Sequence, residues 1–191
     1  MSISTSGSNE ELSEEDQKTL EQELINEAEW STAEPENILV RGALLYCDCG
    51  THKRRLNLPK SYGSYTDAEL KHPFVTEKDC IVGDKNNISY FGVCTSENCG
   101  KQNEEQICLR PYEQTDSVEN VIGPKCTPVI MGKWLNPAEE SYVTDMTTDK
   151  KEQYLKLKTS SILVCKYGGV IRIEESGQSY EEDITDGGNN S

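Results

Sequence analysis

Cysteine is the residue type in this chain with the most chemistry to offer. Eight occur among 191 residues, at Cys47, Cys49, Cys80, Cys94, Cys99, Cys108, Cys126 and Cys165, all within the stretch 38–173. An even count permits disulfides. The N-terminus, MSISTSGSNEELSEEDQ, has neither the basic start nor the apolar stretch of a secretory signal, so an oxidising compartment is not indicated. A local zinc ribbon is the second chemistry, with Cys94 and Cys99 followed by Cys108 and Cys126, but no Cys-x-x-Cys pair supports it. The third is a dispersed tetrad, in which thiolates from several separate strands meet at one point. Four thiolates at about 2.3 Å from Zn²⁺ would tie those strands together and supply folding free energy outright. Beside all three stands the plain role of a free cysteine as a small buried hydrophobe.

Conventional catalytic groups are scarce. The only histidines are His52, in the basic stretch THKRR, and His72, ahead of Pro73, and both are expected at the surface. There is no Gly-x-Ser-x-Gly elbow, phosphate-binding loop, His-Glu-x-x-His helix or Gly-x-Gly-x-x-Gly turn. Carboxylates are plentiful but crowd into the tails, where a solvated acid has no reason for a shifted pKa. The expectation is a protein that is not an enzyme.

To bring distant cysteines together, the body must be built from many short segments. Ile38 to Cys49, Arg55 to Leu58, Ile88 to Val93, Val129 to Met131, Ile162 to Lys166 and Val170 to Glu174 are short apolar or alternating runs bounded by Gly, Pro, Asn or Asp. They predict a mainly β fold. Within LLYCDC, the period of two puts Leu45, Cys47 and Cys49 on one face and Leu44, Tyr46 and Asp48 on the other. SSILVCKYGGVIRIEES reads as a hairpin, with Gly168 and Gly169 free to adopt positive φ in its turn. Residues 138–158 fit either a loop or a short helix around Lys150 to Leu157. Ahead of the body, Ser13 can cap a helix over 13–29, with Glu14, Glu15 and Asp16 in its first turn and Leu20, Leu24, Ile25 and Ala28 at helical spacing. So narrow an apolar stripe predicts a helix that gains stability by docking on the body or on a partner. Pro35 and residues 31–37 make a linker, and the first nine residues and those after Gly177 read as disordered.

Charge follows the same division. The formal net charge is −15, but residues 1–37 carry 11 acids and one base, residues 174–191 carry six acids and no base, and the stretch between them is at +1. A near-neutral body with acidic arms lacks the clustered cations that neutralise phosphates, so nucleic acid is not an expected partner. No run approaches the ~18 consecutive apolar residues of a membrane-spanning helix, so no integral membrane segment is expected.

Five segments taken in order, VRGALLYCDCG, LNLPKS, DKNNISYFGVC, KCTPVIMGKW and SSILVCKYGG, resemble the PAAR-like family in its cysteine-containing branch, a domain of unknown function. The shared pattern runs Gly-Ala-x-x-x-Cys-x-x-Gly, a Leu-Pro segment, Asn-Ile before Phe-Gly-x-Cys, Cys-x-Pro with a Trp downstream, and a Ser-x-x-Leu/Val-x-Cys ahead of Gly-Gly. It covers residues 39–173. The resemblance implies a compact conical β body over residues 38–175, preceded by the acidic extension 1–37 and followed by an acidic tail, 176–191. It further implies a structural tip that caps and sharpens the trimeric spike of a contractile injection apparatus, either type VI secretion or a phage-tail-like particle. Such a subunit is assembled in the cytoplasm and exported with the particle.

Carried over residue by residue, the resemblance selects Cys47, Cys94, Cys126 and Cys165 as candidate zinc ligands, the dispersed tetrad. Cys49, Cys80, Cys99 and Cys108 fall outside it. The better-known PAAR tips use three histidines and one cysteine, a set that a chain with two histidines cannot reproduce. Spike docking is expected along the apolar strands, with Val40, Leu44, Val170 and Ile171 as candidates, and residues 13–29 are the expected site for an effector or chaperone. The competing expectation is a cysteine-zinc adaptor that binds protein partners through its acidic helix.

Overall fold

The computed structural model describes residues 13–31, 36–99, 105–111 and 119–179. The first nine residues and the tail from residue 180, for which the sequence predicts disorder, and residues 32–35 of the predicted linker lie outside the described residues. The described part is mainly β: α1 (Glu14–Ser31) is followed by β1 (Leu44–Cys47), β2 (Arg54–Arg55), β3 (Gln106–Leu109), β4 (Val121–Pro124), β5 (Ile130–Leu135), β6 (Tyr142–Thr144), β7 (Gln153–Leu155), β8 (Ile162–Cys165) and β9 (Val170–Glu175).

Five of these strands form an antiparallel sheet in the order β2-β1-β9-β8-β5. Its register sets Leu45 opposite Ile173, Cys47 opposite Ile171, and Ile171 opposite Leu163. Alternation then turns Leu45, Cys47, Leu163 and Ile171 into one core, which they share with Phe91, Trp134, Leu39, Val75 and Leu157. β8 and β9 form the expected hairpin. Gly168, at φ +88°, donates to the Cys165 carbonyl, while the Cys165 N–H donates to the Gly169 carbonyl at 2.8 Å.

At the far end of β1 and β9 three separate segments close on one another. Leu39 donates to the Leu157 carbonyl, Leu157 to Val75 and Val75 back to Leu39, at 2.9, 3.0 and 3.1 Å. Antiparallel bridges Ile38–Lys158, Val40–Phe74 and Thr76–Lys156 flank this ring. Each segment donates to one neighbour and accepts from the other, so the body is three-sided here, and all three residues are fully buried.

Three readings of the sequence need correction. Ile88 to Val93 is not a regular strand: Gly92 sits at φ +73° and turns the run, leaving only isolated bridges at Ile88 and Val93. Residues 150–157 hold no helix; β7 pairs with β6 as a small hairpin, Val143 opposite Tyr154. The β3–β4 hairpin was not anticipated, because Gly123 and Pro124 argue against a strand. Pro124 is tolerated as the last residue of a two-stranded ribbon, where its missing N–H costs little.

Helix α1 begins as its sequence dictates, with the Asp16 N–H donating to Ser13 Oγ at 3.2 Å and three acids in its first turn. Residues 14–23 are exposed on every side. Among the described side chains, Leu24 and Ala28 pack on Ile162, Val170 and Leu135, and Glu27 lies 3.5 Å from Arg172 of β9. These residues belong to the face of the sheet opposite the core row. The helix is therefore docked on the body.

Candidate functional site

The sequence singles out thiols, and the fold brings most of them to one place. Cys47 ends β1, Cys165 ends β8, Cys94 follows the Val93–Lys125 bridge, and Cys126 follows Lys125 in the opposite arm. Each is pinned through its backbone: Gly50 N–H to the Cys47 carbonyl at 2.8 Å, Cys94 N–H to Pro124 at 2.8 Å, Cys126 N–H to Gly92 at 2.7 Å, and Cys165 as described above. All four are buried, and none forms a disulfide.

Gly169, in the β8–β9 turn, makes room for this convergence. A Cβ at that position would stand 2.7 Å from Cys47 Sγ and 3.5 Å from Cys49 Sγ. A side chain there would force the Cys47 sulfur to move.

The thiols are neighbours whose ionisation is linked, Cys126 with Cys47 and Cys94, and Cys94 with Cys99. The Cys99 thiol itself points at the Lys125 carbonyl, 4.0 Å away. Cys49 and Cys165 lie close enough to feel the charges of the others. Cys80 is set apart beside Asp79, and Cys108 is exposed on β3. Six thiols thus share one neighbourhood, the four of the tetrad with Cys49 and Cys99. The alternation of LLYCDC already places Cys49 on the Cys47 face, and the Cys94–Cys99 spacing of the zinc-ribbon reading already sets Cys99 near Cys94.

Residues 39–178 match the family described as Domain of unknown function (DUF4280). The chain belongs to this family. The match spans both the three-sided ring and the thiol cluster of the DUF4280 domain. No curated protein and no solved structure matches the chain.

Electrostatics in the DUF4280 cluster are those of thiols sharing too few charges. The Cys126 hydrogen bond, helped by backbone donors at Cys49 and Gly50, outweighs burial and lowers the pKa of Cys47. The same contact, with burial and the nearby Cys47 charge, raises Cys126. Burial and then the Cys94 contact push Cys99 up to about 12, and burial raises Cys49. One thiolate is welcome; each further one is repelled by the first. Among the described residues no group of three or more His, Cys, Asp or Glu is placed to hold a metal ion. What speaks for a metal is the donor type alone, since thiols suit a soft cation.

The other predicted residues fall elsewhere. His52 is not at the surface: it is buried, Nε2 lying 2.9 Å from the Arg110 carbonyl and Nδ1 2.8 Å from Thr51 Oγ1, so it ties β3 to the body. His72 is half-buried and pairs with Asp67 at 2.8 Å. Val40 and Ile171 are fully buried, Leu44 nearly so, and Val170 lies beneath α1. These four hold the body together; they do not line an open face. At the ring end a shallow pocket of about 290 Å³ opens between Glu36, Ile38, Ala138, Glu139 and Lys158.

Proposed function

We propose that this chain is a structural, non-enzymatic tip that caps and sharpens the trimeric spike of a contractile injection apparatus, type VI or phage-tail-like, and helps carry effectors. The observation that carries this reading is the closed ring of Leu39, Val75 and Leu157. One chain seated centrally on three identical chains needs a base with three equivalent sides, and the ring supplies that cross-section. The resemblance of five successive segments to PAAR-like tips supports the same reading.

In this proposal the ring end is the seat. Because Val40, Leu44, Val170 and Ile171 are buried, contact would come from the strand ends around the ring, at Ile38, Lys158 and the adjoining pocket. The opposite end holds the cysteines. There Cys47, Cys94, Cys126 and Cys165 would hold a zinc ion, whose part is to cross-link strands. Such a link closes long loops and resists local unfolding when the tip is driven through a barrier. The subunit is assembled in the cytoplasm and leaves as part of the particle. The exposed acidic turns of α1 remain available to an effector or chaperone. An adaptor acting through residues 13–29 has less support, since Leu24 and Ala28 of its apolar stripe are already packed on the body.

Co-expression of the full chain with the trimeric spike protein of the same apparatus tests this. The expected result is a stable complex of one chain per trimer by light scattering, weakened by charge reversal at Lys158. Separate elution of the two proteins at micromolar concentration overturns it.

A further inference from the structure

Among the described residues, one buried side-chain nitrogen has no hydrogen-bond partner, Nη1 of Arg172. Alternation along β9 turns Ile171 into the core, so Val170 and Arg172 lie on the other face of the sheet, the one that α1 covers. There the guanidinium sits between two carboxylates. Its Nε is 3.4 Å from Asp48 Oδ2 and its Nη2 is 3.5 Å from Glu27 Oε2. Each carboxylate is reached through a single oxygen near the limit of hydrogen-bond range, whereas a guanidinium fork can engage one carboxylate twice at about 2.8 Å. The Arg172 side chain is 11% exposed, while those of Glu27 and Asp48 are 67% and 39% exposed. A cation has thus lost most of its water to partners that keep theirs. The two ion pairs contribute little, and the unmatched N–H counts against the docked state.

We propose that α1 is a strap poised to lift, and that Arg172 sets how readily it does so. Docking packs Leu24 and Ala28 on Leu135, Ile162 and Val170, and in the same step covers a guanidinium whose donors it does not satisfy. Lifting returns water to Arg172 and uncovers that apolar row. The core row of Leu45, Cys47, Leu163 and Ile171 lies on the opposite face and stays in place. Apolar contact closes the strap and an under-solvated charge opposes it, so the balance is open to adjustment from outside. The proposal stands on the fold and is independent of the spike reading.

Hydrogen exchange on the full chain tests this, read at the amides of 24–31 for the strap and of 162–173 for the sheet beneath it. Arg172→Met keeps an apolar stem and removes the charge, and exchange over 24–31 is expected to slow about tenfold. Unchanged or faster exchange there overturns the proposal, because Arg172 would then be a bystander or a staple. Glu27→Gln leaves the arginine in place and gives a second reading. It should alter exchange over 24–31 by about threefold or less; an acceleration of about tenfold would mean that the ion pair holds the helix down, and overturns the proposal as well. Protection over 162–173 should match the parent in both variants. Its loss in Arg172→Met would make Arg172 a part of the sheet's own stability, which is a third way for the idea to fail.

Discussion

Cys47 and Cys126, at the ends of two arms that meet only through the tertiary fold, lie buried beside each other, and the Cys126 thiol lowers the pKa of Cys47 while Cys47 raises that of Cys126. A cation that replaces the Cys126 proton must displace protons from the neighbours as well, so metal affinity falls as pH falls. The expected outcome for the full chain purified without chelator is one equivalent of zinc. It is lost in Cys→Ser variants at 47, 94, 126 or 165 and kept at 80 and 108. Metal analysis of each variant checks this, and retention of zinc in Cys47→Ser or Cys165→Ser would sink the tetrad.

Gly169 gives a second handle on the same cluster. Its missing side chain leaves the space that the Cys47 sulfur occupies at 2.7 Å from a built Cβ. Gly169→Ala is expected to cost about 1–3 kcal/mol by overpacking and to lower zinc content with it. Gly168→Ala, where nothing lies within 4 Å but φ is +88°, should cost about 1 kcal/mol through backbone strain and leave zinc unchanged. Urea unfolding paired with metal analysis separates the two.

Asp79 should make stability depend on pH. Its carboxylate accepts from Thr76 N–H at 2.7 Å, Thr76 Oγ1 at 3.0 Å and Tyr62 OH at 3.1 Å, but burial outweighs these donors and raises its pKa. The folded chain therefore holds this proton more tightly than the unfolded one. The resulting stabilisation is complete below the unfolded value, near 3.8, and is lost as pH rises through the raised folded value. Asp79→Asn should remove that slope. It should also cost about 1–3 kcal/mol, since an amide nitrogen then faces donors. Urea melts across the acid range give both numbers.

Among the described side chains, α1 packs on the body through Leu24 and Ala28. Ala28→Asp puts a charge against Ile162 and Val170 and should release the helix, which alone is too short and too acidic to persist in water. Hydrogen exchange is expected to become fast over residues 14–31 while 162–173 stays protected. The cost to global stability should be about 1–2 kcal/mol. Simultaneous loss of protection in both segments would mean that the helix is part of the core.

By itself the sequence determined what local chemistry determines. Ser13 and the acids behind it specify where α1 begins, because a cap and a dipole are satisfied within one turn. The alternation of LLYC and the Gly-Gly turn specify β1 and the β8–β9 hairpin, because a period of two and a positive φ need no distant partner. Three things were out of reach: the β3–β4 hairpin, whose Gly and Pro read as breakers; the burial of His52, whose partner is the Arg110 carbonyl just past β3; and the meeting of Cys99 with thiols as distant as Cys47 and Cys165. The tertiary structure decided those, together with the ring of Leu39, Val75 and Leu157. Each depends on segments far apart in the chain meeting at one point, and no local period records which segments those are.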